Sequence, residues 1–241
     1  VSNKVKYKRV LLKLTGEAFS SSQNTFDRDR LMFLAGEIQE VVKMGVELAV
    51  LVGGGNLIRG ASLKEVSISR IIADHMGMLG TLINALALKG FLEAQGIASS
   101  AMGSVCVPGI LEQYNQSSAK KRLEKKEVVI LGGGTGNPIF TTDTAAVLRG
   151  KELDVDVIFK ATKVDYVYDK DPNIYQDAIA YKRISFGEAI QKRLKVMDLT
   201  ALTLAMECRI PIYVFNFSRP KNLIKAIEGA DVGTLLLEEE G

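Results

Sequence analysis

A chain of 241 residues, 47% hydrophobic and 24% charged, has the apolar content to bury a sizeable core, which excludes an intrinsically disordered protein. Its formal net charge of +3 comes from 31 basic and 28 acidic residues scattered together, so nucleic acid is not the default partner. Cys106 and Cys208 stand far apart, with no CxxC and one histidine in the chain, which excludes a local zinc motif and fits a reduced, cytoplasmic setting.

The opening VSNKVKYKRV lacks an apolar signal core, and no uninterrupted apolar run reaches the roughly 18–20 residues needed to cross a bilayer. The expectation is a soluble, unprocessed chain with no membrane partner. Arg9 to Leu14 reads as a buried strand ending in Thr-Gly, and Val46 to Val52 as a second ending at Gly53. Between them Leu31, Leu34, Ile38, Val41 and Val42 keep helical spacing from Asp27 to Met44. A helix-rich stretch from Ser69 to Ala94 precedes strands at Ile97 to Met102 and Val128 to Leu131. The basic run around Lys120 to Lys126, interrupted by Glu124, reads as a solvated helix face.

Further on, Asp143 to Gly150 is helical and Val155 to Lys160 a strand. Lys163 to Ala180 is polar and turn-rich enough for a long functional loop. Ser185 and Glu188 have the spacing of a capping box, which starts a helix near Phe186. Pro211 to Phe215 is a late strand, Pro220 to Ile227 a helix and Thr234 to Leu237 a last strand. Continuously apolar strands alternating with helices predict an α/β fold: an open, mainly parallel central sheet with helices on both faces.

Three strand ends run into glycine: Thr15-Gly16, Gly53-Gly54-Gly55-Asn56 and Gly132 to Pro138. At the carboxyl edge of a parallel sheet such turns let backbone N–H groups approach a phosphate closely. None reads GxxxxGK[ST] and none completes GxGxxG, so neither a P-loop nor a dinucleotide fingerprint is present. Lys13, in an otherwise apolar strand, is costly to place unless its ammonium meets an anion. Arg59, four residues past the GGGN turn, could fold back as a two-pronged phosphate clamp. The acidic candidates are Asp74 in an apolar helical stretch, Asp143 after Thr141-Thr142, and Asp198. Asp143 also suits a helix first turn, and His75 reads as a structural residue.

With these residues placed, the sequence resembles the bacterial-type uridylate kinases of the amino-acid kinase superfamily over nearly its whole length. The likeness rests on KLTGEA (13–18), GGGNLIRG (53–60), ADHMGML (73–79), GGTGNPIFTTDTAA (133–146), KATKVDYVYDKDP (160–172) and LKVMDL (194–199), in the family's order. It implies a single amino-acid kinase domain over 1–241, with an acceptor lobe over roughly 1–155 and an ATP lobe over roughly 156–241. The implied reaction moves the γ-phosphoryl group of ATP, with Mg2+, onto UMP to give UDP and ADP in pyrimidine nucleotide biosynthesis.

The resemblance makes Lys13, Arg59, Asp143 and Asp198 the catalytic candidates, with Asp198 orienting the strand lysine. ATP should meet Lys13, Leu14, Thr15, Gly16, Gly55 and Arg59 at its phosphates, and Thr162, Tyr168 and Asp171 at its adenosine end. UMP should meet Gly54 and Arg59 at its phosphate and Asp74 at its ribose. Thr135, Gly136, Asn137, Pro138, Ile139, Phe140, Thr141 and Thr142 should wrap its base. The family also implies a homohexamer and feedback inhibition by UTP. Some relatives carry a glycine-containing loop linked to GTP activation; here Ser20 to Phe26 is polar and lacks glycine, and no GTP site is read from it. The competing readings are a superfamily kinase acting on a carboxylate or carbamate, and a non-catalytic nucleotide-binding regulator. The acceptor segment and the joint presence of Lys13, Arg59, Asp143 and Asp198 weigh against both.

Overall fold

The structure is a computed structural model and describes residues 5–58 and 67–238. Its elements are, in chain order, β1 (Arg9–Leu14), a 3-10 turn (Gly16–Ala18), α1 (Arg28–Lys43), β2 (Glu47–Val52), α2 (Arg70–Ala94), β3 (Ser99–Gly103), β4 (Glu112–Gln113), α3 (Gln116–Glu124) and β5 (Val128–Gly132). Then follow α4 (Thr142–Leu153), β6 (Val157–Thr162), β7 (Val167–Tyr168), β8 (Ala180–Tyr181), β9 (Arg183–Ser185), α5 (Phe186–Gln191), α6 (Leu199–Cys208), β10 (Ile212–Asn216), α7 (Asn222–Ile227) and β11 (Gly233–Leu237).

Nine strands form one sheet in the order β4-β3-β5-β2-β1-β6-β10-β11-β9, parallel at every pairing except β10 with β11. The mainly parallel sheet covered on both faces is as predicted. The polar segment after β6 is less open than a loop, because β7 and β8 pair within it as a short antiparallel hairpin. The apolar helix α6 and the short strands β4 and β9 have no counterpart among the predicted elements.

Strand side chains alternate between faces, so each strand feeds two cores. Val10, Leu12 and Leu14 join Val50, Phe159 and Phe215 beneath α1, α2 and α7. Leu11 joins Leu51, Ile158 and Val214 beneath α3, α4, α5 and α6. Removing such a side chain from water contributes about 1.5–3 kcal/mol. The same alternation turns Lys13 and Lys160 toward the α4 face, as the next residues in phase after Leu11 and Ile158.

Helix starts are fixed locally. Asp27, Ser69, Thr141, Ser185 and Asp198 each accept backbone N–H groups at the first turn of the helix that follows. The Ser185 hydroxyl takes the Glu188 amide at 3.1 Å, as the capping-box spacing predicts. The basic face of α3 is ion-paired: Lys120 with Asp154 at 2.5 Å and Arg122 with Glu112 at 2.6 Å. Among the described residues α2 is the one helix long and apolar enough, by length and composition, to span a bilayer. It lies along the sheet, with Leu82, Ala85, Leu88 and Leu92 in the core.

Candidate active site

The carboxyl ends of β5, β2, β1 and β6 are neighbours in the sheet, so the three glycine turns emerge side by side along one edge. Two of them touch. A Cβ on Gly16 would lie 2.4 Å from Asn56 Oδ1 and 2.6 Å from the Gly55 nitrogen, so only glycine lets the first turn nest against the second.

Helix α2 holds the turns from one face. Asn84, fully buried, donates to the Gly53 carbonyl at 2.7 Å and exchanges amide hydrogen bonds with Asn56 at 2.7 and 3.2 Å. Three residues earlier, the Thr81 hydroxyl accepts the Gly133 amide at 2.6 Å. Residues three apart on a helix share a face, so one helix fixes two turns from different strands. Neither residue is among the predicted site residues, although two polar side chains at that spacing in an apolar helix are a readable signal.

At the end of β1, Lys13 is 5% exposed, and its ammonium lies 2.7 Å from Asp143 Oδ1. The other oxygen of Asp143 accepts from Lys160 at 2.6 Å. Lys160, in β6, also donates to the Val196 carbonyl and was not among the predicted site residues. Burial pushes the Asp143 carboxyl up, but the two ammonium groups outweigh it and hold the group below its ordinary value. Burial pushes the Lys160 ammonium down, and Lys13 adds to this against the opposing pull of Asp143 and Asp198. Two cations share one bridging anion where the sheet edge meets the start of α4, with the Asp198 carboxylate acting on Lys160 from nearby.

The carboxylate on Lys13 is therefore Asp143, not Asp198 as the resemblance implied. Asp198 instead ties two helix starts together. It accepts the Ala201 amide at 2.9 Å as the cap of α6, and it accepts the hydroxyls of Thr141 and Thr144, the latter at 3.2 Å. Thr141 in turn caps α4 by accepting the Asp143 and Thr144 amides at 3.0 and 3.4 Å. The network sets the direction in which Asp143 leaves its helix.

Two cavities open near the Lys13–Asp143–Lys160 cluster, one reaching Thr142 beside Asp143 and the other reaching Lys160. One, about 760 Å³, is lined by Gly54, Gly55, Asp74, Thr135 and Phe140 to Thr142, together with Arg70, Met78 and Thr81. The other, about 610 Å³, is lined by Lys160, Thr162, Tyr168, Asp171 and the loop of residues 193–196. Of the predicted acceptor residues, Gly54, Asp74, Thr135 and Phe140 to Thr142 line the first cavity, and of the predicted donor residues Thr162, Tyr168 and Asp171 line the second, while Gly55, predicted for ATP, lines the first and Lys13 and Gly16 line neither. Leu14 is fully buried in the core, so only its backbone is available to a ligand. Thr15 lines a smaller pocket of about 310 Å³ with Phe33 and Phe217 on the opposite face of the sheet edge. Arg59 lies outside the described residues.

Asp74 is taken up within the acceptor cavity. Both its oxygens lie 2.9 Å from Arg70 Nε, and one accepts the Ile139 amide at 2.7 Å. Ile139 has φ of +79°, which is costly for a β-branched residue, so the Asp74 contact holds the acceptor segment in a conformation it would not adopt alone. Thr135 and Asn137 close a local turn by hydrogen bonds of 3.1 Å. Phe140 is half exposed on the cavity wall, and His75, beside Asp74, is exposed.

Residues 8–216 match the sequence profile of the amino acid kinase family. The chain is 48% identical over 231 residues to a uridylate kinase of Haemophilus influenzae, covering 95% of this chain and 98% of that one. It is 46% identical over 231 residues to a uridylate kinase of Buchnera aphidicola subsp. Schizaphis graminum, covering 95% and 96%. The crystal structure of a UMP kinase from Bacillus anthracis superposes with a TM-score of 0.94 at 37% identity, over 97% of each chain. Likeness of this extent reaches the whole described sheet and both cavities, and the chain belongs to the amino acid kinase family, among its uridylate kinases.

Proposed function

We propose that the protein transfers the γ-phosphoryl group of ATP to UMP, giving UDP and ADP. The observation that carries this is the pair of lysines, Lys13 buried and Lys160 half-buried, that share Asp143 near two nucleotide-sized cavities. UMP would occupy the cavity that holds Asp74 and residues 135–142, with its phosphate toward Gly54 and Arg59. ATP would occupy the cavity of Thr162, Tyr168 and Asp171, its phosphates running over Lys13 to Gly16 and Gly55.

The chemistry needs no strong base, because the phosphate of UMP is already an anion at neutral pH. Transfer then depends on alignment and on stabilising charge at the moving group. Lys13 and Lys160 supply that charge, and the amides of the glycine turns hold the oxygens in line. Asp143 keeps the two ammonium groups apart and aimed until phosphate replaces part of its role. Mg2+ would arrive with ATP and supply further positive charge at its phosphate oxygens.

The finer parts of the reading follow from the same placement. UTP would inhibit by setting its base in the UMP cavity and its phosphates along the donor path. Residues up to about 155 would form the acceptor lobe and the remainder the ATP lobe. Ile72, Leu79 and Ile83 lie on one stripe of α2, each about half exposed, which supports a homohexamer built through that helix. A cytoplasmic role in pyrimidine nucleotide biosynthesis fits two free cysteines.

The test is a panel of ATP with UMP, CMP, dUMP, aspartate and carbamate, read by ADP formation, with UTP added in turn and light scattering for assembly. UMP should be preferred strongly over CMP. Equal rates on the two pyrimidines, or turnover of a carboxylate instead, would overturn the reading.

A further inference from the structure

Arg149, in the third turn of α4, is 7% exposed, and a buried guanidinium needs several partners to be tolerated. It has them on three sides. Its Nη1 lies 2.5 Å from Glu152 Oε2, its Cζ sits 4.1 Å from the centre of the Tyr114 ring, and its Nη2 donates to the Ser104 hydroxyl at 3.0 Å. Tyr114 and Ser104 are themselves tied to the end of the β3–β5 pair. The Tyr114 amide donates to the Gly103 carbonyl at 2.8 Å, and the Ser104 amide donates to the Gly132 carbonyl at 3.0 Å.

Ser104 passes the contact on. With its oxygen accepting from Arg149, its own hydrogen goes to the Gly134 carbonyl at 2.8 Å. Gly134 and Thr135 line the larger cavity, and Gly133 before them has φ of +81°. A Cβ on Gly133 would lie 2.9 Å from the Ser104 nitrogen, so the glycine turn rests directly on Ser104. The turn is otherwise held by Thr81 from α2, on its other side. A cation in α4 thus reaches the acceptor turn through one hydroxyl, without touching the cavity itself.

We propose that Arg149 is a positioning residue for the acceptor nucleotide, acting through Ser104 to set the height of the Gly133–Gly136 turn under the UMP site. This rests on the reading of that cavity as the UMP site. Arginine is required because one planar fork must bridge Glu152 and Ser104 while its face stacks on Tyr114, a geometry that a compact ammonium cannot reproduce.

The experiment compares wild type, Ser104→Ala and Arg149→Lys in steady-state kinetics with each substrate varied, in calorimetric UMP binding without ATP, and in thermal unfolding. Ser104→Ala removes the last link and leaves Arg149 with its other partners. It should raise KM and Kd for UMP about fivefold, the effect of one lost hydrogen bond. KM for ATP and kcat should stay within twofold. Arg149→Lys should shift UMP in the same direction by more, with a lower unfolding temperature. Should Arg149→Lys fail to fold, Ser104→Ala carries the test alone. Unchanged UMP binding in Ser104→Ala, or equal losses for ATP and UMP, would show that Arg149 only stabilises the fold and would overturn the proposal. Absence of UDP formation by the wild type would instead overturn the reading of the cavity.

Discussion

Lys13 and Lys160 stand opposite one another in the register between β1 and β6, and one carboxylate, Asp143, holds both ammonium groups. Two like charges on adjacent strands repel, and their juxtaposition is stable only with an anion between them. Within the protein that anion is a side chain; with a nucleotide bound it would include phosphate.

Replacing Lys13 should therefore reduce turnover far more than acceptor binding. Lys13→Met is expected to lower kcat by about 100-fold or more, on the scale of losing one donor to a developing charge, with KM for UMP within a few-fold. Lys160→Met should also lower kcat. The double variant should lose less than the product of the two single effects, because the two groups act on one charge. Initial-rate kinetics on the three variants measure this, and full additivity would separate their roles.

Asp143→Asn should expose the electrostatic cost of the pair. Removing the carboxylate leaves two buried ammonium groups without it, a loss of about 3 kcal/mol or more at neutral pH. The folded-state carboxyl lies below its ordinary value of 3.8, so its stabilisation is fully present above that value and is lost as pH falls through the folded value. Urea unfolding of wild type and variant should show a gap at pH 7 that persists to about pH 4 and narrows below it. A gap that is independent of pH would mean that Asp143 stabilises through packing alone.

Asp74→Ala should act on UMP and not on ATP. The variant loses the acceptor for the Ile139 amide and the partner of Arg70, so residues 137–141 relax from a backbone that is unfavourable at Ile139. UMP affinity by calorimetry should fall about tenfold, the order of one hydrogen bond to a charged group. KM for ATP should stay close to wild type.

Asn84→Ala should weaken both substrates, since the Gly53 carbonyl and the Asn56 amide lose a partner at a turn that lines the larger cavity and also seats the Gly16 turn at the end of β1. Leaving buried polar groups unpaired should cost about 1–3 kcal/mol in thermal or urea unfolding. An increase in KM confined to one nucleotide would contradict the shared position of this turn.

The local signals in the chain were reliable where the cause was local. Ser185, Asp27 and the glycine after three of the strands announce helix starts and strand ends, and the energetic cost of an ammonium in RVLLKL singles out Lys13. Lys160 in VIFKAT obeys the same rule, but its neighbour is decided by pairing across about 150 residues, and nothing near it in sequence names Lys13. The same is true of Asp143, whose first-turn position is legible while its role as the shared counter-ion depends on sheet order. Asp198 was drawn toward Lys13 by likeness of motif; its contacts instead go to Thr141, Thr144 and the start of α6. Helix α6 carries only Thr200, Thr203 and Glu207 as polar residues on its exposed side, a weak polar stripe in ten residues, and the antiparallel turn of β11 onto β10 follows from pairing that no single segment encodes.

The pairing of two ammonium groups at the sheet edge also says where discrimination must lie. A centre of two ammonium groups and one carboxylate responds to phosphate as such and is blind to the ring that carries it. Identity has to be read at the far ends of the two nucleotides, some distance from the bond that is made. Changes confined to the walls around Phe140 or Tyr168 could then redirect which nucleotides are used while the transfer step itself is left as it was.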